Sequence, residues 1–366
     1  MRLLFTISII CLSCVTYAQR YARASGNWNA AIWASTPGGV AGSAPTPTAT
    51  DDVYTNGFSV TVNVAATCRN LFVTYNVANS LILNSLRTVT VTGTMSGYDD
   101  GGVTEQFPTA AVISYGASSS LIFTGANITG AYSPYIIYFW DENTPIGRAT
   151  FNFGASGSFN LILPLAFGSV VTIQSGTLTA DPGVNIYGAS ATFTINPGAT
   201  FITDDPIGPF NTINTNGSLQ TTNTISATNL SVGNSSVAAN LTSSNAITLS
   251  NNFTVNNLGT VNTSGSITTV NTTITGSVTT SNFLNTSNTF TLNSTGILNT
   301  SYLGSQSWWS LTNSPGSSSI NASSTVNYSS TSAQNVFTTV YGNLTFSGSG
   351  TKTLQGSGTL TVNGTL

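Results

Sequence analysis

The chain has 366 residues, of which seven are Lys or Arg, ten are Asp or Glu and none is His, for a net charge of −3. Charged residues make up 5%, against about 25% in an ordinary domain, and the few cations form no basic patch that would support binding to nucleic-acid phosphates. The negative balance gives no attraction to anionic lipid, and acid–base chemistry is confined to the first 205 residues, because Pro206 to Thr351 holds no Asp, Glu, Lys, Arg or His.

Residues 1–18 read as an export signal. Met1-Arg2 is a short basic start, Leu3 to Val15 is an apolar run, and Thr16-Tyr17-Ala18 is a small-residue cleavage site before Gln19. The apolar run of 13 residues is too short to span a bilayer, which takes about 20. No later segment is a membrane span, since Leu161 to Ile173 is broken by Pro164 and Gly168. Removal of the signal takes Cys11 and Cys14 with it and leaves Cys68 alone, so no internal disulfide is expected. Cys68 itself is expected to be a small buried hydrophobe.

From residue 19 onward, apolar and polar residues alternate with period two. Val60-Thr61-Val62, Thr88-Val89-Thr90-Val91, Thr192-Phe193-Thr194-Ile195, Thr289-Phe290-Thr291-Leu292 and Thr359-Leu360-Thr361-Val362 are examples. This is the pattern of half-buried strands. Turn signals such as Asn56-Gly57, Pro197-Gly198, Asn216-Gly217 and Asn363-Gly364 separate them. The class is all-β, and the repeats choose a solenoid. Gly176 to Gly183 is echoed by Ser190 to Gly198, and Asn252-Phe253-Thr254-Val255-Asn256 is echoed by Thr289-Phe290-Thr291-Leu292-Asn293. Short degenerate periods of this kind predict a right-handed parallel β-helix with coils of about 20–25 residues. Residues 19–366 then form one continuous solenoid. Residues 19–75 are its capping module, in which Trp28 and Trp33 supply an aromatic N-terminal cap.

Stacked coils also account for the missing charge over 206–351. A charge repeated at one position would face its own kind about 4.8 Å away, whereas Asn, Ser and Thr can form hydrogen-bonded ladders.

Four adjacent acid pairs, Asp51-Asp52, Asp99-Asp100, Asp141-Glu142 and Asp204-Asp205, hold most of the carboxylates. Asp99 and Asp100 on a Gly-rich loop, with Glu105 near them, are the best candidates for Ca²⁺, a cation that wants six to eight oxygens. None of the pairs has the alternate-residue spacing of a calcium loop, so solvated loop charge is the plainer reading and no cofactor is expected. Catalysis on polysaccharide by paired acids would draw on Asp99, Asp100, Glu105, Asp141, Glu142, Arg87 and Arg148. Nothing in their spacing demands that, and no catalytic residue is assigned. Tyr135, Tyr138 and Trp140, beside Tyr132 and Phe139, and the pair Trp308-Trp309 are candidates for stacking on a sugar, against a core or cap role. Thr-x-Thr units centred on 89, 193, 290 and 360 suggest a lattice such as ice, but their unequal spacing in sequence argues against a regular array.

Two segments carry a resemblance. Ser25-Gly-Asn-Trp28, Trp33, Pro45, Asp51-Asp52-Val53, Asn56-Gly57, Val60-Thr61-Val62 and Cys68-Arg69-Asn70-Leu71 form one series. Within 320–366 the other is Val326-Asn-Tyr328, Ala333-Gln334, Tyr341-Gly-Asn343-Leu344-Thr345, Gly350-Thr-Lys352-Thr-Leu354 and Thr361-Val-Asn-Gly364-Thr-Leu. They resemble the opening module and a common repeat of large secreted repeat proteins and adhesins of Bacteroidota. The resemblance implies extracellular or cell-surface β-helices, often exported by the type IX system and finished by a sorting domain. It brings no catalytic residues. No sorting domain is recognisable here, and the closing residues read as an uncapped strand, so Leu366 is expected to be a fragment end. That strand edge invites end-to-end association. The function expected is a secreted, non-catalytic, structural or adhesive segment whose partner is a surface glycan or other extracellular ligand. The alternative is a polysaccharide-binding or polysaccharide-cleaving β-helix.

Overall fold

The computed structural model describes residues 17–74, 77–93, 95–98, 113–115, 119–124, 146–161, 165–234, 236–302, 317–355 and 358–366. Every regular element among them is a strand. The first coils show the plan most simply. Asp52–Tyr54, Val60–Val62 and Ala66–Cys68 make one circuit, and Asn70–Thr74, Leu81–Leu83 and Thr88–Val91 make the next. The second circuit lies on the first in parallel register, with Val53 beside Leu71, Val60 beside Leu81 and Ala66 beside Val89. A coil therefore has three faces, and the molecule is a β-solenoid.

In the middle of the rod two of the three strands fuse. Ile225–Val232 and Ile247–Val255 are long strands, each followed by a short one, Ala239–Ser243 and Gly259–Thr263. The long strand bends where alternation breaks. In Ile225–Val232 the side chains of Ile225 and Ala227 point in, Thr228 and Asn229 both point out, and Leu230 and Val232 point in again. Register shifts fall at that bend, between Ala227 and Asn229 in one coil and between Thr248 and Asn252 in the next. An irregularity of this kind turns a strand without ending it. The result is one twelve-stranded sheet from Ala66–Cys68 to Ser317–Ile320 and one ten-stranded sheet from Ser158–Leu161 to Asn343–Phe346.

Inward side chains stack on their counterparts in the next coil. Ile186, Ile207, Ile225, Ile247, Ile267 and Leu284 form one column. Phe201, Leu219, Leu241, Val261, Val278 and Leu298 form another. All are buried, and each such side chain stabilises the fold by about 1.5–3 kcal/mol relative to exposure. With no disulfide among the described residues and Cys68 free, packing and hydrogen bonds hold the coils together.

One set of polar residues inside the rod is placed at a single corner. Thr203, Thr221, Ser243, Thr263, Thr280 and Thr300 stack in register at the end of the short strand and are buried. Each hydroxyl accepts a hydrogen bond from the backbone N–H two residues on, at 3.0 to 3.3 Å. Ser and Thr commonly close turns this way. A chain that would otherwise bury an orphan N–H at every corner satisfies it locally.

The two sequence echoes have different structural meanings. Phe253 pairs with Thr272 and Thr272 with Phe290, so the echo between 252 and 289 spans two coils. The echo of Gly176 to Gly183 in Ser190 to Gly198 is not a coil repeat. Thr177–Ala180 pairs with Thr200–Thr203, whereas Thr192 to Ile195 belong to the other sheet. It joins successive faces, which look alike because both carry alternating residues into a Pro-Gly turn. Coil lengths are also wider than the expected range. Stacked partners are 17 residues apart at Ile267 and Leu284, 23 at Asn229 and Asn252, and 28 at Asn299 and Asn327.

The N-terminal cap is aromatic, as the sequence suggests. Trp28 and Trp33 are buried, their rings meeting edge to face at 5.4 Å. The Trp33 indole N–H donates to the Trp28 carbonyl at 2.7 Å. Trp33–Ala34 runs antiparallel to Gln19–Ala22, the one antiparallel pairing among the described strands. This short reversed strand covers the edge of the first coil, where a parallel continuation would otherwise add.

Candidate binding face

The residues singled out for chemistry divide into two groups. Asp99, Asp100, Glu105, Asp141, Glu142, Tyr132, Tyr135, Tyr138, Phe139, Trp140, Trp308 and Trp309 lie outside the described residues. Arg87 is exposed in the turn before Thr88–Val91, and Arg148 is half-buried in Ile146–Asn152.

The described carboxylates are braces between coils. Asp51 and Asp52 are buried, so solvated loop charge is the wrong description of that pair. Asp51 accepts from the backbone N–H and hydroxyl of Thr48, at 2.7 and 2.8 Å, and pairs with Arg20 at 3.2 Å. Arg69 grips Asp52 with two N–H groups, Nε at 2.8 Å and Nη2, and Asn70 Nδ2 donates to the same carboxylate at 2.8 Å. The Tyr17 ring lies over the Arg69 guanidinium, 3.4 Å away. Arg supplies two parallel donors in the geometry a carboxylate accepts. Near the middle, Asp205 accepts from the backbone of Gly183 and Val184, one coil away, at 2.6 and 3.1 Å. Asp204 accepts from Thr222 at 3.0 Å, and Asp181 accepts from Asn160 at 2.6 Å. Among the described residues no three His, Cys, Asp or Glu side chains converge as a metal site would require.

Cys68 is fully buried, and burial, with Asp52 and Asp51 adding to it, pushes its thiol far above the ordinary range. A thiol held protonated is not a nucleophile.

What remains is an extended surface, the outward side of the twelve-stranded sheet. Downstream of the bend its strands pair without a register shift from Thr192 onward. Two outward columns result. One is Thr192, Thr212, Asn229, Asn252, Asn271, Thr289 and Ser317, and the other is Thr194, Asn214, Ser231, Thr254, Thr273, Thr291 and Ser319. Neither column contains a charge or an aromatic ring. All coil-length variation is taken up elsewhere, at the bend and the corners.

Within the first column the asparagines satisfy one another. Asn252 donates to Asn229 at 3.0 Å, Asn271 to Asn252 at 3.1 Å, and Asn288, at the bend, to Asn271 at 3.0 Å. This is the polar ladder that the uncharged composition predicts. The threonines differ. Thr192, Thr194, Thr212, Thr254, Thr273, Thr289 and Thr291 make no side-chain hydrogen bond to any described residue, and these residues are half-exposed.

Three of the four Thr-x-Thr units belong to this one sheet and one column set. Val89, Phe193 and Phe290, their central residues, lie in a single inward column that runs through Leu121, Ala149, Val171, Ile213, Leu230, Phe253 and Thr272. Unequal spacing in sequence therefore does not mean an irregular array in space. The unit at 360 stands apart, because Thr361–Val362 pairs with Val340–Tyr341 on another face. A signal for the true phase was present in the corner triplets Thr221-Thr-Asn223, Ser243-Ser-Asn245, Thr263-Ser-Gly265 and Thr280-Ser-Asn282. No family model matches this chain, and neither curated proteins nor solved structures yield a match to it.

Proposed function

We propose that this chain is a secreted structural and adhesive rod of a cell-surface protein, binding through the extended polar face of its twelve-stranded sheet rather than through a pocket. One observation carries the reading: two in-register columns of uncharged hydrogen-bonding side chains run over successive coils. An array of weak identical contacts gains strength by repetition. The solenoid stacks them on one continuous frame of parallel strands. The described acids already serve as braces between coils, which favours the non-catalytic reading over a polysaccharide-cleaving one. Export by the signal at residues 1–18 belongs to the same proposal.

The test is retention of the purified chain on a panel of insoluble polysaccharides and other extracellular surfaces, with product release measured in parallel. Retention without turnover is the expected result. Turnover abolished by Asp99→Ala or Asp141→Ala would replace the rod with an enzyme.

A further inference from the structure

We infer that the face bearing Thr192, Thr194, Thr254, Thr273, Thr289 and Thr291 is a template for ordered water, and that its occupant is the surface of an ice crystal. The inference uses the same face as the adhesive reading and names what that face holds.

Geometry is the first argument. Neighbouring strands place equivalent side chains about 4.8 Å apart, and alternate residues along a strand stand about 6.6 Å apart. Outward hydroxyls and amides from Thr192 to Ser319 thus form a two-dimensional grid, kept straight because the register shifts all lie upstream at the bend. Rows of oxygen atoms on the prism faces of hexagonal ice repeat at a distance close to the first of these spacings and somewhat longer than the second. A soluble sugar chain or a peptide has no such repeat in two dimensions.

Chemistry is the second. The threonine hydroxyls have no hydrogen-bond partner among the described residues, so water completes them. Each is β-branched and held on a strand, which restricts χ1 and fixes where that water sits. Beside every hydroxyl is a methyl group, and apolar surface restricts the orientation of first-shell water. The asparagine ladder occupies its own amides with one another and stiffens the grid.

Composition is the third. The columns carry no charge, whose tightly held hydration shell would disrupt a crystalline layer, and no aromatic ring to stack on a sugar. The neighbouring sheet is a natural control. Its outward columns are broken by Ile202 and Ile297, and several of its polar groups pair internally, as Asn327 does with Asn299.

The experiment grows a single ice crystal slowly from a dilute solution of the full chain, measures the protein's partition into ice, and scores inhibition of recrystallisation. The expected result is enrichment in the ice and inhibition of recrystallisation by the unaltered chain. In Thr254→Tyr/Thr273→Tyr both effects should fall at least tenfold, with unchanged circular dichroism. Thr260→Tyr on the ten-stranded sheet should behave as the parent does. If the double variant does not fold, Thr194→Tyr disturbs the same grid several coils away and is held to the same standard. Exclusion of the folded parent from ice overturns the inference, as does equal loss in the face variant and the Thr260 control. If the parent is excluded from ice yet retained on an insoluble polysaccharide, with retention lost in the double variant, the occupant is a glycan. The adhesive reading then stands while the ice reading falls. Binding to neither overturns both.

Discussion

Asn252 donates from Nδ2 to the Oδ1 of Asn229, 3.0 Å away, while its own Oδ1 accepts from Asn271 at 3.1 Å. One side chain is thus a rung shared by three coils. Asn271 has a second acceptor in Asn251 Oδ1, at 3.2 Å, so it is not stranded when Asn252 is lost. Asn252→Ala is expected to destabilise the rod by about 1–2 kcal/mol, the net worth of one or two hydrogen bonds. Paired urea titrations measure it, and a change below about 0.3 kcal/mol would mean that water replaces the rung at no cost.

Gly276 is required by a close approach of two coils. A Cβ there would lie 2.2 Å from the carbonyl oxygens of both Asn256 and Gly259, backbone atoms that cannot turn aside. Gly276→Ala is expected to cost on the order of 2–3 kcal/mol through strain. Gly183 makes the comparison, since its φ is +89 but nothing lies within 4 Å of a Cβ. Gly183→Ala should cost only the left-handed backbone penalty, roughly 1–2 kcal/mol. Equal effects in denaturant melts would contradict the steric account.

Cys68 should be silent to thiol reagents in the folded chain. An ordinary thiol with a pKa of about 8.5 reacts readily at mildly alkaline pH, whereas this one is buried and held protonated. In a chain beginning at Gln19, where it is the sole cysteine, labelling with an aromatic disulfide is expected only in denaturant. Rapid labelling in native buffer would place Cys68 at the surface.

Tyr328 and Tyr341 share a buried hydrogen bond of 2.8 Å between their hydroxyls, and Tyr341 also donates to the Phe337 carbonyl at 2.9 Å. Burial, then the neighbouring Tyr328, push the Tyr341 phenol above its ordinary value of 10.0. The unfolded chain therefore loses this proton near pH 10 while the folded chain keeps it. The folded state binds more protons, so this contribution is intact below about pH 10 and is lost as pH rises beyond it. Tyr341→Phe should be less stable at neutral pH by about 1 kcal/mol and lose less stability on alkalinisation. Urea midpoints followed from neutral to strongly alkaline pH measure both. An alkaline limb as steep as the parent's would remove Tyr341 from the explanation.

Much of this fold can be read from residue order. Val60-Thr61-Val62 and Thr289-Phe290-Thr291-Leu292 alternate because one side of each strand packs into the rod, and two nearby tryptophans at 28 and 33 announce a cap. The phase of the coils is carried only by the short corner triplets, because coils of unequal length are stacked in register by adjusting their corners. The distance in sequence from Phe253 to Phe290 is two such coils, and the distance from Gly183 to Gly198 is none. The regularity of the polar face was obscured for the same reason, since regularity in space does not require regular spacing along the chain. The role of Asp51 and Asp52 depended on Arg20 and Arg69, which adjacent coils bring to them.

From Pro206 to Thr351 there is no group that titrates below about pH 10, and nothing for counter-ions to screen. The described coils of this stretch are therefore held by contacts of very short range. Fresh water and brine should present the same ruler, with the same graduations, to whatever is laid against it.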